Sequence, residues 1–291
     1  MTDIRYCEYD ADHLTLQYLP SMTVTDSAAH IERWQKSSDV YRQRCGDHGH
    51  LDIAYGESPG ERLDIFCQTN AAAPVHVYIH GGYWQRTDKS DYSFLAETLV
   101  GDGVCVVIPN YSLCPLVTVD EIVREMRRAL AWVYLNIADY GGDPQRIHIS
   151  GHSAGGHLTA MMALTDWTQQ DNRLPADLVK SGVPISGVFD LLPLVYTPIN
   201  DPLGLNVDTA RQLSPLFMGG ENLPPLGFAV GGDESDEFRR QNQDMASHWS
   251  SLGGDMSIID CPARHHFNVI ENLTDPSSHL YRSVSSYLHE L

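Results

Sequence analysis

Short apolar runs bounded by Gly, Pro and Asn recur along the chain, at residues 62–66, 75–79, 104–108, 146–150, 178–186, 226–230 and 256–260. They are rich in β-branched residues and mostly continuous rather than alternating, the pattern of strands covered on both faces. Between them the apolar period changes from two to three and four. Ile122, Met126, Ala129, Leu130, Val133 and Ile137 fall on one helical face. Thr118-Val119-Asp120-Glu121 opens that helix as a capping box, and Gly141-Gly142 supplies the left-handed stop. Further helices are expected at residues 92–100, 154–167, 238–252 and 278–289. Such alternation predicts an α/β fold, a mostly parallel doubly wound sheet with helices on both faces.

Three stretches fall outside this rhythm. Residues 21–48 form an N-terminal helical segment, polar through residue 44 with Ile31, Trp34 and Tyr41 as packing points. Residues 46–60 read as a loop. Residues 189–220, rich in Pro, Leu and Asn, read as a small irregular cap over the strand C-termini, covering the site. Nothing resembles a repeat or a linker, so residues 1–291 are expected to form one domain.

The formal charge of −19 argues against nucleic acid, which needs clustered Lys and Arg. Cys7, Cys45, Cys67, Cys105, Cys114 and Cys261 show no CxxC and several sit in apolar runs, as expected of buried thiols in a reducing compartment. The N-terminus lacks a basic region followed by an apolar one, and no stretch reaches transmembrane length. The expectation is a cytoplasmic protein with a small-molecule substrate and no membrane partner, homodimerisation being left open.

The candidate chemistry begins at Gly151-His152-Ser153-Ala154-Gly155, set between the apolar run 146–150 and a helical stretch. G-x-S-x-G between strand and helix is the context of a nucleophile elbow, whose sharp turn exposes the Ser153 hydroxyl. His80-Gly81-Gly82 follows the run 75–79; in this setting Gly81, Gly82 and the residue after the serine, Ala154, offer N–H groups to an oxyanion. A base is expected after the last strand, where His265 and His266 both qualify by position. The acid is expected in Gly231-Gly232-Asp233-Glu234-Ser235-Asp236-Glu237, where spacing leaves Asp233 and Glu234 both open and the other carboxylates fit a solvated helix start. Cys45, Asp47, His48 and His50 lack further spaced ligands, so no metal is expected.

These residues together resemble the α/β-hydrolase type of kynurenine formamidase (arylformamidase), a branch near the hormone-sensitive-lipase-like esterases. The likeness is carried by Ile79-His80-Gly81-Gly82-Tyr83-Trp84-Gln85, the elbow with Ala160-Met161-Met162, Ser186-Gly187-Val188-Phe189-Asp190-Leu191, Phe238-Arg239-Arg240-Gln241, and His266-Phe267 with Glu271-Asn272-Leu273-Thr274. Asn110-Tyr111-Ser112-Leu113-Cys114-Pro115 is similar to a stretch of the lipase-like esterases. The resemblance spans about residue 51 to the C-terminus and implies the α/β-hydrolase fold. It matches Ser153 to the nucleophile and His266 to the base. It places the acid on Glu234, where the family more often has Asp, with Asp233 as the alternative. It implies hydrolysis of N-formyl-L-kynurenine to L-kynurenine and formate through an acyl-enzyme, without a cofactor. Tyr83, Trp84, Phe189 and Tyr196 are candidates for an aromatic slot. The alternatives are a carboxylesterase for short acyl or aryl esters, sharing the machinery, and a non-catalytic binding protein, which the presence of both Ser153 and His266 disfavours.

Overall fold

The structure is a computed structural model that describes residues 4–6, 8–68 and 72–289. A two-stranded antiparallel hairpin, β1 (Ile4–Tyr6) and β2 (Tyr9–Asp10), leads into α1 (Ala11–Tyr18) and α2 (Ser27–Arg44). The large sheet is then built from β3 (Gly49–Ala54), β4 (Arg62–Phe66), β5 (Ala73–Ile79), β6 (Cys105–Pro109), β7 (Gly142–His152), β8 (Val179–Ile185), β9 (Leu226–Gly231) and β10 (Met256–Cys261). Its eight strands run in the order β10-β9-β8-β7-β5-β6-β4-β3. Every neighbouring pair from β10 to β6 is parallel, whereas β4 is antiparallel to both β6 and β3.

The period-two alternation of strand side chains sorts the core onto two faces. Val75, Val77, Ile79, Ile147 and Ile149 pack with α4 (Val119–Asn136) and α5 (Ala154–Ala163), through Met126, Leu130, Val133, Leu158 and Met162. Tyr78, Val106, Ile108, Val183 and Ile185 face the other way. They pack with α2, α3 (Ala96–Gly101) and α8 (His279–His289), through Trp34, Leu99, Leu280 and Val284. Two further helices, α6 (Val207–Gln212) and α7 (Asp236–Ser251), complete the set, α7 seating Met245 and Trp249 against Phe228. Among the described residues no helix is long and apolar enough to cross a membrane.

The local signals act as their chemistry dictates. The Thr118 hydroxyl accepts from the Glu121 N–H at 3.2 Å, but the Glu121 carboxylate turns to Arg124 and Arg128 instead of closing the capping box. Gly141 adopts φ +91° and ends the short 3₁₀ turn that follows α4. Cys105, Cys114 and Cys261 are buried thiols.

Three sequence expectations are corrected. Within 46–60, residues Gly49–Ala54 form the edge strand β3; its exposure alternates, so it reads as polar and loop-like. The N-terminal helical segment begins at Ser27 rather than residue 21, and a separate helix, α1, precedes it. Residues 189–220 contribute nothing to the wall of the cavity at Ser153. They pack beside it, the Ile199 carbonyl accepting from Gln85 Nε2 at 2.8 Å and the Leu213 carbonyl lying 2.8 Å from His157 Nε2.

Candidate active site

The chain passes from β5 to β6 on one side, then returns through α4 to β7 on the other side of β5. Connections leaving the C-terminal ends of β5 and β7 therefore diverge, and a crevice opens between them, the usual ligand position in such sheets. The β5 connection carries His80-Gly81-Gly82 and the β7 connection carries Ser153.

Ser153 has φ +58° and ψ −118°, a strained conformation for a residue with a side chain. Its neighbours hold it there. The Ser153 N–H donates to the Ile185 carbonyl of β8 at 2.9 Å. A Cβ on Gly151 would meet the Gly155 carbonyl at 2.3 Å, and one on Gly155 would meet the Ile79 carbonyl at 2.0 Å. Both glycines are thus required by close backbone approach. The turn delivers the chain into α5 with Ala154 as its first residue, whose N–H has no intrahelical acceptor.

The Gly81 carbonyl accepts from Thr87 Oγ1 at 3.0 Å and from the Tyr111 hydroxyl at 3.2 Å. In a planar trans peptide the Gly82 N–H must then point the opposite way. No described residue accepts from it. A Cβ on Gly81 would lie 3.2 Å from Ser153 Cβ, so the glycine loop lies directly against the serine. Buried His80 stacks on Tyr111 with ring centroids 4.2 Å apart and an interplanar angle of 8°. Burial lowers its pKa, keeping it a neutral strut.

The remaining groups come from the ends of β9 and β10. Glu234 is buried, whereas Asp233 is exposed. Glu234 Oε2 lies 2.6 Å from His266 Nδ1, and Oε1 accepts from the Gly231 N–H at 2.8 Å and from Ser186 Oγ. The His266 ring is wedged between His152 and Phe238, each with its centroid 4.5 Å away. Burial drives the pKa of His152 well below the usual histidine range. A neutral His152 leaves any positive charge on His266 unopposed. His265 turns away. Its Nδ1 accepts from the N–H groups of Phe267 and Asn268 at 3.2 and 3.3 Å, and its ring packs edge-on against His30. The sequence reading missed Ser186, whose φ of +49° at the end of β8 turns it toward Glu234. It also missed Glu237, which is buried against Arg240 and the Tyr18 hydroxyl rather than solvated.

A cavity of about 100 Å³ opens over Ser153 and His266. Its wall includes Gly82, Tyr83, Arg86, Thr87, Tyr92, His152 and Phe267. The N-terminal segment closes it through Leu19, Pro20, Ser21, Ile31 and Trp34, the role expected of residues 189–220. Of the four aromatics expected to form the slot, only Tyr83 lines this cavity. Positive φ at Gly82, Tyr83 and Trp84 turns the chain so that Trp84 enters the core, edge-on to His157 at 5.0 Å. Phe189 is fully buried against Phe228, and Tyr196 lies in a separate surface groove with Ala11 and Asp201. Trp34 and Tyr92 supply the aromatic surface instead.

Among the described residues, Asp26, His30 and His265 alone bring their ligand atoms close enough for a metal. They fit one poorly. Because His265 Nδ1 already accepts two N–H groups, the neutral ring carries its proton on Nε2, leaving no lone pair to coordinate. A hydroxyl in an elbow, an imidazole fixed by a carboxylate and free N–H groups beside them are together able to carry out acyl transfer.

The chain matches the BD-FAE family over residues 63–217. It is 34% identical to a kynurenine formamidase of Danio rerio over 91% of this chain and 92% of the relative, and 33% identical to that of Salmo salar over 95% and 96%. A probable carboxylic ester hydrolase, LipM, of Mycobacterium tuberculosis is 34% identical but spans 67% of this chain and 50% of its own length. Among solved structures, one from Silicibacter sp. TM1040, provisionally described as a thioesterase, has a TM-score of 0.82 at 32% identity, covering 94% of this chain and 98% of its own. An esterase of Pyrobaculum calidifontis shares the fold, with a TM-score of 0.70 at 21% identity over 94% and 96%. With sequence likeness running nearly end to end and the sheet of an α/β-hydrolase, this chain is a hydrolase and belongs to the kynurenine formamidase family.

Proposed function

We propose that the protein is an arylformamidase that converts N-formyl-L-kynurenine to L-kynurenine and formate. The observation that carries this reading is the reach of the likeness. The two fish formamidases align over more than nine-tenths of both chains, whereas LipM aligns over half its own length. The cavity's aromatic walls, Tyr83, Trp34 and Tyr92, suit an aryl leaving group, and a formyl group needs little room beyond Ser153.

In this mechanism Ser153 Oγ attacks the formyl carbon while His266 Nε2 takes its proton. Glu234 holds the imidazole by Nδ1 and stabilises the imidazolium. The N–H groups of Gly82 and Ala154, with Gly81 giving the backbone room beside Ser153, receive the oxyanion. His266 returns the proton to the departing arylamine nitrogen as the C–N bond breaks, leaving a formyl ester on Ser153. Water, deprotonated by His266, attacks that ester. Formate leaves and Ser153 regains its proton.

A carboxylesterase is the second reading, supported by the likeness to LipM. The discriminating measurement is kcat/KM for N-formyl-L-kynurenine against p-nitrophenyl acetate and butyrate. The formamidase reading expects efficient formamide cleavage and weak butyrate cleavage. Preference for the butyrate ester with negligible formamide turnover would overturn it.

A further inference from the structure

We infer that Arg86 is a specificity-determining residue that binds a carboxylate carried on the leaving-group side of the substrate. This inference rests on the arylformamidase reading and extends it to the charge of the substrate. Among the described residues, Arg86 is the only one with a permanent charge in the wall of the cavity that holds Ser153 and His266. The chain carries 38 Asp and Glu against 19 Lys and Arg, so a spare acid would be the expected neighbour of any guanidinium. Several arginines follow that expectation, Arg42 pairing with Asp64, Arg128 with Glu61 and Arg240 with Glu237, while Arg62 and Arg146 turn to backbone carbonyls and Arg127 to the Thr165 hydroxyl. No described residue forms an ion pair or side-chain hydrogen bond with Arg86. An arginine left without an acid in so acidic a chain, facing an otherwise uncharged cavity, keeps its planar fork available for a carboxylate.

Its anchor is fixed to the glycine loop. The Arg86 N–H donates to the Gly82 carbonyl at 3.1 Å, and a Cβ on Gly82 would lie 2.2 Å from the Arg86 carbonyl. On one side Gln85 is tied to Ile199, and on the other Thr87, at φ +68°, is tied to Gly81. One tight turn thus sets both the Gly82 N–H and the root of the guanidinium. The guanidinium is rooted beside the loop proposed to receive the oxyanion, on the wall of the same cavity. An aryl formamide that also bears an α-carboxylate, as an amino acid does, meets both demands at once.

The test compares wild-type, Arg86→Gln and Arg86→Lys enzymes on N-formyl-L-kynurenine and on its decarboxylated analogue N-formylkynuramine. The wild type is expected to prefer the carboxylate by about 10-fold in kcat/KM, the preference residing in KM. Arg86→Gln should abolish the preference, its loss in kcat/KM falling about 10-fold more heavily on N-formyl-L-kynurenine than on N-formylkynuramine; Arg86→Lys should retain part of it. Equal losses on both substrates, or a wild type that does not discriminate, would overturn the assignment. Failure of the formamidase reading looks different: the wild type then cleaves aryl acetates and neither formamide. In that case 4-acetoxybenzoate against phenyl acetate gives the same reading of Arg86, with a preference lost in Arg86→Gln supporting it and no preference refuting it.

Discussion

Glu234 holds His266 with one carboxylate oxygen, 2.6 Å from Nδ1, and is itself held through the other by Gly231 and Ser186. This fixes the tautomer that the proposed mechanism requires, with the proton on Nδ1 and the lone pair on Nε2. Glu234→Gln keeps the size but can present an amide N–H to Nδ1, which favours the wrong tautomer. Its kcat should fall by about 10⁴-fold, the scale of that defect in other triads. Asp233→Asn, altering an exposed side chain, should leave kcat within a factor of two or so. Steady-state kinetics on both variants decide the matter, and a collapse in Asp233→Asn alone would reverse the assignment.

His265 and His266 are adjacent in sequence and face different surroundings. His266→Ala should remove turnover by several orders of magnitude, roughly as Ser153→Ala does, because in the proposed mechanism the two act as one unit. His265→Ala removes an acceptor for two loop N–H groups and a ring packed on His30, so its effect should fall on stability. A drop of a few degrees in Tm with kcat largely preserved is the expected result. Loss of kcat in His265→Ala with an unchanged Tm would contradict it.

Ser186 shows where the sequence stopped being legible. The elbow and the glycine loop are legible because each is local: a few residues with fixed spacing beside an apolar run. Ser186 reaches Glu234 across 48 positions, through a strand end that bends at φ +49°, and no period or motif marks such a contact. The cavity wall was misread for a related reason. Residues 189–220 look like a cap by composition, but Leu19, Ile31 and Trp34 close the cavity by a tertiary contact of the N-terminal segment. The strands were read well because burial on both faces leaves continuous apolar runs; β3 was not, since an edge strand lacks that signature. For Ser186→Ala, losing one hydrogen bond to a charged carboxylate should lower kcat about 10-fold. Fluorophosphonate labelling of Ser153 should slow by the same factor while still reaching completion.

A glycine pressed against backbone and one in open space should respond oppositely to alanine. In Gly155→Ala the new Cβ would lie 2.0 Å from the Ile79 carbonyl and 2.7 Å from that of His80, both backbone atoms that cannot yield without moving β5. A loss of about 3 kcal/mol or more and of activity is expected, at or beyond the upper range for overpacking. Gly101→Ala meets nothing within 4 Å and sits at the end of α3, so it should be neutral or slightly stabilising. Urea unfolding of the two variants beside the wild type checks this, and equal stabilities would sink the close-approach argument.

Acid should destabilise the fold through a pair of buried histidines in the sheet. His76 of β5 and His148 of β7 sit in register, with His76 Nε2 2.6 Å from Ser150 Oγ and His148 Nδ1 2.7 Å from Ser181 Oγ. Burial lowers His76 to about 3, with His148 adding to the effect, and lowers His148 to about 4, aided by Arg146, Lys180 and His289. The unfolded chain protonates both near 6.5. Above that pH neither state binds the proton and stability is unaffected. As pH falls from 6.5 toward 4, the unfolded state alone takes up protons, so stability declines by up to about 1.4 kcal/mol per pH unit for each histidine. Carboxylates with lowered pKa, such as Glu237 and Glu271, act in the same direction at more acid pH. Comparing wild type with His148→Gln cancels their share, because the glutamine can still reach Ser181 but does not titrate. Urea unfolding at pH 7.5, 6, 5 and 4.5 should give His148→Gln a shallower decline, by about 1 kcal/mol per unit between pH 6 and 4.5. Parallel curves for the two proteins would mean that His148 is already charged in the folded state, and the sheet would then have to hold that charge against burial.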